Sequence, residues 1–419
     1  MASPLSPVAP LSPVVPVLLG VLSAQVALGL MAPLVPLLLV GGGSTAPQIG
    51  LIASAYSLGF MAGAMTAERL VIRVGHIRAF AAFAALAANA TLLMAVVGQP
   101  LAWAALRAVV GLSAAGLCLV AESWLYGSAD NASRGRIFGA YLVASWGGGA
   151  LGPVALNAVP ASAWLFGPAG IAVTTALLPL ALTRQPNPAI GRQARMGLAA
   201  LYRVSPVGLA CCLAAGLVNG VFYALAPVYL SRFGYHPTQV AAFVSAANVA
   251  GLAVQWPIGL LSDRLGRRPM AVAVLALGLA LALLFVLAGR AGMPVLLVLG
   301  CAFAGVAAPL YGLGAGQTND RLARGDAVAA SGGLLFVWAM GATVGPALAG
   351  AVMGLLGPGG LFIYLAVVLG GISLFTGLRI RLRGEVPRDL RGAFVPAMAE
   401  PALHAGLATP PPPPGGDGP

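Results

Sequence analysis

Long apolar stretches alternate with short polar or charged breaks along almost the whole chain. A helix that crosses the hydrocarbon core of a bilayer needs about 20 apolar residues at a rise of 1.5 Å each. Twelve stretches reach that length, and the breaks between them carry Gly, Pro, Asn or Arg, as turns do. The pattern therefore predicts twelve membrane-spanning helices. The predicted spans cover residues 14–38, 47–68, 78–98, 101–125, 136–157, 163–183, 205–231, 238–261, 270–289, 294–318, 326–353 and 359–379.

The composition indicates that the bilayer is the solvent. Of the 419 residues, 59% are hydrophobic and 8% are charged, whereas a soluble globular chain carries roughly 25% charged residues. This difference excludes a soluble enzyme. The N-terminal residues 1–16 lack the basic region of a secretory signal, so we interpret the first apolar stretch as a transmembrane helix.

The arginines are distributed unevenly between the connections. All 22 basic residues are arginine, and 19 of them fall in the even-numbered connections or the C-terminal tail. The odd-numbered connections hold Arg232 and Arg290, and Arg107 lies inside a predicted span. Because cytoplasmic loops are enriched in basic residues, we expect the even-numbered connections and both termini to face the cytoplasm, in a bacterial inner membrane.

The net charge of +12 does not indicate a nucleic-acid partner. A nucleic-acid surface interleaves basic and aromatic residues, and these arginines instead follow the membrane topology. The bilayer itself and a small molecule are the partners that we expect, for a protein that acts as a monomer.

A long polar connection divides the chain into two halves. Residues 184–204 are basic, carry two prolines and separate a predicted N-terminal half, 1–183, from a C-terminal half, 205–380. The remaining residues, 381–419, form an Arg- and Pro-rich tail that we expect to be disordered.

The two halves share sequence landmarks at nearly one offset, of 193 residues for the first pair and 191 for the second. Such an offset indicates a duplicated six-helix unit, a plan in which a transporter places its binding site at the interface between the repeats. The paired landmarks are Gly148-x-x-x-Gly152-Pro153 with Gly341-x-x-x-Gly345-Pro346, and Arg73-x-Gly75 with Arg264-x-Gly266.

The connection after the eighth predicted span reads Gly259-x-x-x-Asp263-Arg264-x-Gly266-Arg267-Arg268. It lies at a membrane surface, since each charge would cost roughly 2.5–3.5 kcal/mol at the bilayer centre. With twelve spans in two halves, this pattern resembles the loop signature of the major facilitator superfamily over residues 14–380. The resemblance implies an all-α membrane fold of two pseudo-symmetric six-helix halves. The first-half copy departs from it, because Ile72 stands at the acidic position and Glu68 comes one turn earlier.

Three further motifs carry the same resemblance. Arg107-x-x-x-Gly111-x-x-x-Ala115 is similar to the second motif of the superfamily, which implies a role for Arg107 in proton coupling or substrate binding. The Gly148 motif is similar to that of drug and metabolite antiporters, without its later glycine. The run Glu122-Ser123-Trp124-Leu125 resembles a bacterial subgroup whose substrates are mostly unassigned.

Charged residues cluster where helices end on the predicted cytoplasmic side. Ion pairs across these ends would hold one conformation and break in another. The alternative is that the charges are solvated anchors, and for Arg267 and Arg268 we favour that alternative. The predicted switch residues are Arg73, Gly75, Arg78, Glu122, Gly259, Asp263, Arg264, Gly266, Arg267, Arg268 and Asp320.

Polar side chains in the middle of predicted spans are the candidate substrate or coupling residues. A buried ionisable or amide group needs a partner or a water-filled cavity, so hydrogen bonding between helices is the competing interpretation. The paired Gly-Pro motifs are expected to pack helices closely, although a direct substrate role stays open. The candidates are Arg107, Gln25, Asn219, Tyr223, Asn248, Gln255, Tyr311 and Gln317.

These patterns predict a secondary transporter that moves a small organic solute by alternating access, with proton-coupled efflux. An uptake symporter and a non-transporting receptor or assembly scaffold on a carrier fold are the alternatives. No enzymatic activity, cofactor or metal is expected, because the chain has no phosphate-binding loop and its cysteines and histidines do not cluster. The proton gradient would be the driving force.

Overall fold

A computed structural model describes residues 14–127, 134–183, 196–289, 291–322 and 326–382. Within these ranges the chain forms twelve helical spans that are long and apolar enough to cross a membrane, so the predicted all-α membrane fold is confirmed. The spans, numbered in chain order, are Val15–Gly41, Ala46–Val74, His76–Val96, Pro100–Leu125, Gly135–Asn157, Ala163–Ala181, Pro206–Arg232, Pro237–Leu265, Arg267–Ala288, Met293–Asn319, Ala329–Leu356 and Gly360–Arg379.

Twelve antiparallel spans place the two ends of the described chain on one side of the bundle, which we call the terminal side. The opposite side is called the far side. A further short helix, Leu198–Val204, lies on the terminal side, between the halves in sequence. The predicted tail and most of the predicted central connection, residues 184–195, lie outside the described residues.

Prolines interrupt some of the spans. A proline has no N–H to donate and its ring clashes with the preceding turn. Span 10 is broken before Pro309 into Met293–Ala307 and Leu310–Asn319. In span 5 the α-helix Arg134–Leu151 continues as the 3-10 helix Gly152–Asn157. Span 11, by contrast, runs through Pro346.

Span 6 is also segmented. It begins with the 3-10 helix Ala163–Leu165, continues as Phe166–Thr175 and ends with Leu177–Ala181. The remaining spans are single α-helices. Three of these helices extend slightly past the apolar stretch: that of span 4 ends at Gly127, that of span 11 begins at Ala327, and that of span 12 ends at Leu382.

The two predicted hinge glycines adopt the same conformation. Gly75 joins spans 2 and 3 with φ of 86°, and Gly266 joins spans 8 and 9 with φ of 105°. The Gly75 N–H donates to Val71 O at 2.8 Å and the Gly266 N–H to Ser262 O at 3.0 Å. These positive φ values strongly favour glycine, and the matching geometry fits a duplicated unit.

The Gly-Pro motifs pack helices within each half. A methyl group on Gly152 would lie 2.2 Å from Val26 O of span 1, and one on Gly341 would lie 2.7 Å from Leu213 O of span 7. Gly148 likewise faces span 1, and Gly345 faces span 7. Backbones this close cannot tolerate a side chain, so the placement supports the packing interpretation of these motifs.

Three hydrogen bonds between the two halves lie towards the far side. They join span 2 to span 11, span 5 to span 8, and the connection after span 1 to the end of span 7. Their geometry is Ala347 N to Ser54 Oγ at 3.0 Å, Ser245 Oγ to Ala150 O at 2.7 Å, and Arg232 Nη2 to Ser44 O at 2.7 Å.

Spans 2 and 11 also touch backbone to backbone. A methyl group on Gly50 would lie 2.2 Å from Pro346 O, and one on Gly350 would lie 2.6 Å from Ala46 O. Glycines let two helices approach this closely, which is a main source of helix association in lipid. The far side is therefore closed by contacts that need small residues on both halves.

Replacing Gly266 by alanine should destabilise the protein. The glycine combines φ of 105° with ψ of 146°, a region that costs other residues of order 1–3 kcal/mol. Thermal unfolding of the detergent-solubilised protein should show a lower midpoint. Gly371→Ala is the matched control, because a methyl group there meets nothing within 4 Å; an equal drop in both variants would contradict the argument.

Candidate functional site

A central cavity of about 190 Å³ lies between the two halves. Spans 1, 2, 4 and 5 of the first half and spans 7, 8 and 11 of the second contribute to its wall. Most of the wall is apolar, with side chains such as Leu28, Met31, Val35 and Ile52. The polar and aromatic side chains that line it are Gln25, Tyr56, Ser57, Arg107, Ser145, Asn219, Tyr223, Asn248 and Trp338.

Arg107 is the one charged side chain among the described residues that line this cavity. Its guanidinium lies over the Tyr56 ring, 4.3 Å from the centroid, an arrangement worth roughly 0.5–2 kcal/mol depending on desolvation. Glycine explains why the two helices meet there. A methyl group on Gly111, one turn after Arg107, would lie 1.9 Å from Tyr56 O, and one on Gly59 would lie 1.9 Å from Ala108 O.

Asn219 is positioned by the break in span 10. Its Nδ2 donates to Ala307 O at 3.1 Å, and Ala307 ends the first helical segment of that span. Terminal carbonyls of a helix have no intrahelical partner, so the amide satisfies one of them. The Oδ1 atom of Asn219 is buried and accepts no hydrogen bond within the described structure.

Two further polar residues of the second half complete the wall. The Tyr223 hydroxyl donates to Ala247 O at 3.5 Å, and its ring lies edge-on to Trp146, with centroids 6.5 Å apart. Asn248 Nδ2 donates to Val244 O at 2.9 Å, one turn back in its own helix. Both side chains are therefore held by backbone carbonyls.

The structure brings five of the eight candidate cavity residues together and places three elsewhere. Gln25, Arg107, Asn219, Tyr223 and Asn248 line the central cavity. The other three are buried nearer the terminal side, outside the wall of this cavity, and they are Gln255, Tyr311 and Gln317. Whether any of the eight binds substrate stays a prediction.

Sequence reasoning missed Tyr56, Ser57 and Ser145. A signal for Tyr56 was present, because Gly59-x-x-x-Gly63 marks the face of span 2 that packs on another helix. Tyr56 precedes Gly59 by three residues and so shares that face. The two serines carry no comparable signal, since single hydroxyls occur on any face of a membrane helix.

A buried ion-pair cluster lies on the terminal side of the second half. Arg267 Nε lies 2.7 Å from Oδ2 of Asp320, the residue directly after span 10, and Nη2 lies 3.7 Å from Asp263 Oδ1. Gly316 makes room for it, because a methyl group there would lie 2.1 Å from Arg267 Nη1. The guanidinium thus packs directly on the backbone of span 10.

The expectation that Arg267 and Arg268 are solvated anchors is wrong. Their exposed fractions are 2% and 4%. The tight connection at Gly266 starts span 9 at Arg267, so the side chain is directed into the bundle instead of the solvent. By contrast, Asp263 and Arg264 are exposed, and Gly259 is buried in span 8.

The first half has a different residue at the equivalent place. His76 stands 191 residues before Arg267 and is also 2% exposed. Its Nε2 lies 3.0 Å from Ser123 Oγ of span 4, and its ring is edge-on to Trp124. A histidine–serine contact therefore replaces the arginine–aspartate pair.

Glu122 is buried beside this contact, at 1% exposed. Its Oε1 accepts a hydrogen bond of 2.9 Å from the Tyr141 hydroxyl of span 5, a partner that the sequence analysis did not name. Arg73 and Arg78, which belong to the same set of predicted switch residues, are both exposed on the terminal side. Glu122 therefore joins spans 4 and 5 in the interior of the first half.

The described fold is a membrane bundle of two six-helix halves with a central cavity between them. The family model described as Major Facilitator Superfamily matches residues 17–310 and 209–404. The chain therefore belongs to the Major Facilitator Superfamily, and the family resemblance noted from the sequence motifs is confirmed.

Relatives and solved structures agree with this assignment. An uncharacterized MFS-type transporter of Enterobacter sp. (strain 638) is 27% identical over 383 residues, which cover 90% of this chain and 97% of that protein. A crystal structure of a variant of the nucleoside transporter NupG is 14% identical, covers 87% of this chain and 99% of that one, and gives a TM-score of 0.74.

A bacterial homologue of the human lysosomal transporter Spinster, in an inward-facing and occupied conformation, is also similar. It is 15% identical, covers 91% of this chain and 98% of that one, and gives a TM-score of 0.70. At these identities the two solved structures show the fold alone.

A double-mutant cycle should expose the pairing of Arg267 with Asp320. Removing one partner of a buried pair costs about 3–5 kcal/mol, whereas replacing both by apolar residues costs far less. We expect Arg267→Met to lower the thermal midpoint sharply and Arg267→Met/Asp320→Leu to recover much of the loss. The exposed Arg264→Gln serves as the control. Additive effects of the two single substitutions would show that the pair contributes nothing.

Proposed function

We propose that the protein exports a small organic solute across a bacterial inner membrane by alternating access, driven by the proton gradient. The observation that carries the proposal is the central cavity, whose polar side chains come from both halves while the halves join towards the far side. A site at the repeat interface is reached from alternate sides when the halves rock about it.

The contacts between the halves suit such a motion. Apart from Arg232, the far-side hydrogen bonds use hydroxyl or backbone groups. Spans 2 and 11 also meet through glycine backbones across the halves, whereas the buried polar pairs Arg267–Asp320 and Tyr141–Glu122 lie within a half. We therefore take the half as the rigid unit and the far-side interface as the one that opens.

The arginine pattern supports an orientation for this proposal. The terminal side carries the exposed Arg73, Arg78 and Arg264, whereas the far side carries Arg232 among the described residues. Because basic residues are retained on the cytoplasmic side, the far side faces outwards and the state described here is closed to the outside.

Coupling to protons needs a group whose protonation follows the conformational change. The described cavity wall contains no carboxylate, so Arg107 would act there by electrostatics. Glu122 is the buried carboxylate on the same span, about 22 Å further along the helix at 1.5 Å per residue. We assign the proton to Glu122 and the solute to the cavity at Arg107.

Flux measurements would test this function. A metabolite and toxin screen on a deletion strain identifies a solute, which is then loaded into proteoliposomes under a pH gradient. Export should require the gradient, and Arg107→Ala should lower it at least tenfold, because a charged contact is worth about 1.5–3 kcal/mol. The exposed Arg69→Ala is the control. Flux that ignores the gradient, with Arg107→Ala equal to wild type, would refute the proposal.

Cross-linking would test alternating access. Ser54→Cys and Ala347→Cys join spans 2 and 11 across the halves, since the serine Oγ lies 3.0 Å from Ala347 N. In a background with the four native cysteines replaced by alanine, oxidation should stop transport and reduction should restore it. Each single cysteine should respond to neither treatment. Full transport by the cross-linked protein would mean that the far side need not open.

A further inference from the structure

We infer that the central cavity binds a ring-sized organic monoanion that also carries an O–H or N–H donor, so that one molecule bridges the two halves. The inference rests on the transport function proposed above and names the class of solute. Three features of the cavity carry it: its single charge, an unsatisfied acceptor on the opposite half, and its size.

The single charge in the cavity wall indicates that the solute is an anion. Arg107 belongs to the first half, and no other described residue of the wall is charged. A guanidinium stacked on a ring keeps its N–H donors in its own plane, the geometry in which arginine binds a carboxylate. A cationic solute would meet this charge without any carboxylate in the wall to offset it.

An unsatisfied acceptor in the cavity wall indicates that the solute carries a hydrogen-bond donor. Asn219 belongs to the second half, and its Nδ2 is held by Ala307 O at 3.1 Å. This bond fixes which end of the amide is the oxygen. Oδ1 is buried and accepts no hydrogen bond in the described structure, and buried acceptors of that kind are rare. The adjoining cavity is the space from which a solute can present a donor.

A serine on the first half adds to this requirement. Ser145 also lines the cavity, and its Oγ is buried with no hydrogen-bond partner among the described residues. A hydroxyl both donates and accepts, so it fits either polar end of the solute. The two unsatisfied groups lie on different halves, at spans 5 and 7.

The size of the cavity and its apolar wall indicate the part of the solute between its two polar ends. The cavity measures about 190 Å³, and an apolar cavity of roughly 150 Å³ accommodates benzene. Between the polar residues the wall is built from Leu28, Met31, Ile52 and Trp338. A single apolar ring with an anionic group at one end and a donor at the other matches this arrangement.

Bridging between the halves explains why the solute needs both its anionic group and its hydrogen-bond donor. A solute that touches only Arg107 binds one half and leaves the other free to move. A solute that also donates to Asn219 favours the state in which the halves are close, since a ligand shifts an equilibrium by its differential affinity for the two states. Binding and closure are thereby linked.

Binding of four matched probes to the purified protein in nanodiscs, without any gradient, tests the inference. The probes are 4-hydroxybenzoate, 4-methoxybenzoate, 4-hydroxybenzamide and 4-methoxybenzamide, measured by calorimetry at pH 7. We expect 4-hydroxybenzoate to bind tightest, at least tenfold tighter than its methyl ether, which lacks the donor, or its amide, which lacks the charge. Equal binding of acid and amide, equal binding of phenol and ether, or no binding of any probe would overturn the assignment.

Two variants test which residue causes each binding preference. Asn219→Leu should erase the preference for phenol over ether and keep that for acid over amide, and Arg107→Gln should do the reverse. These ratios are internal to each variant, so a partly unfolded sample does not change them. Thr343→Ala, a hydroxyl bonded within its own helix, should leave both ratios as in wild type. Loss of both preferences in either variant would contradict the bridging geometry.

The outcomes separate this inference from the proposed transport function. If the four probes bind in the expected order but none is moved by a pH gradient, the solute class stands and proton-coupled transport falls. If a cation or an uncharged solute shows gradient-driven flux and the probes show no preference, transport stands and the solute class falls.

Discussion

The structure depends on glycine-mediated contact between helix backbones. Lipid tails are as apolar as leucine, so helices in a bilayer gain little by burying apolar side chains against each other. They associate instead where small residues allow close van der Waals approach. Gly59 and Gly111 bring spans 2 and 4 together, and Gly152 and Gly341 do the same for spans 5 and 11 against spans 1 and 7. The position of Arg107 over Tyr56 follows from the first of these contacts.

Polar groups in this interior are placed by breaks in the helices. The gap in span 10 before Pro309 leaves carbonyls that a continuous helix would have used, and Asn219 fills one of them. The placement of Asn219 in the cavity wall is thus an outcome of proline placement on a neighbouring span. At the terminal side, a small residue makes room for a buried charge. Arg267 is accommodated because Gly316 has no side chain in its path.

Sequence patterns predicted the spans, the duplication and part of the site, for definite physical reasons. Hydropathy gives the depth of a residue in the membrane, and it therefore located Asn219 and Asn248 near mid-membrane. It does not show at which depth the cavity lies, so Gln255, Tyr311 and Gln317 received the same interpretation although they are buried nearer the terminal side, outside the cavity wall. The burial of Arg267 depends on how span 9 starts, and a charged motif at a surface gives no sign of that.

The contrast between Arg267 and His76 shows what duplication leaves open. Both follow a glycine with positive φ, and both contact the neighbouring even-numbered span. One contact is between opposite formal charges, and the other is between an imidazole and a hydroxyl. If the two halves had identical hinge contacts, nothing in the structure would make one contact break before the other. Here the hinge backbones match but the side-chain contacts beside them differ, with the Arg267–Asp320 ion pair in the second half where the described first half has the His76–Ser123 contact.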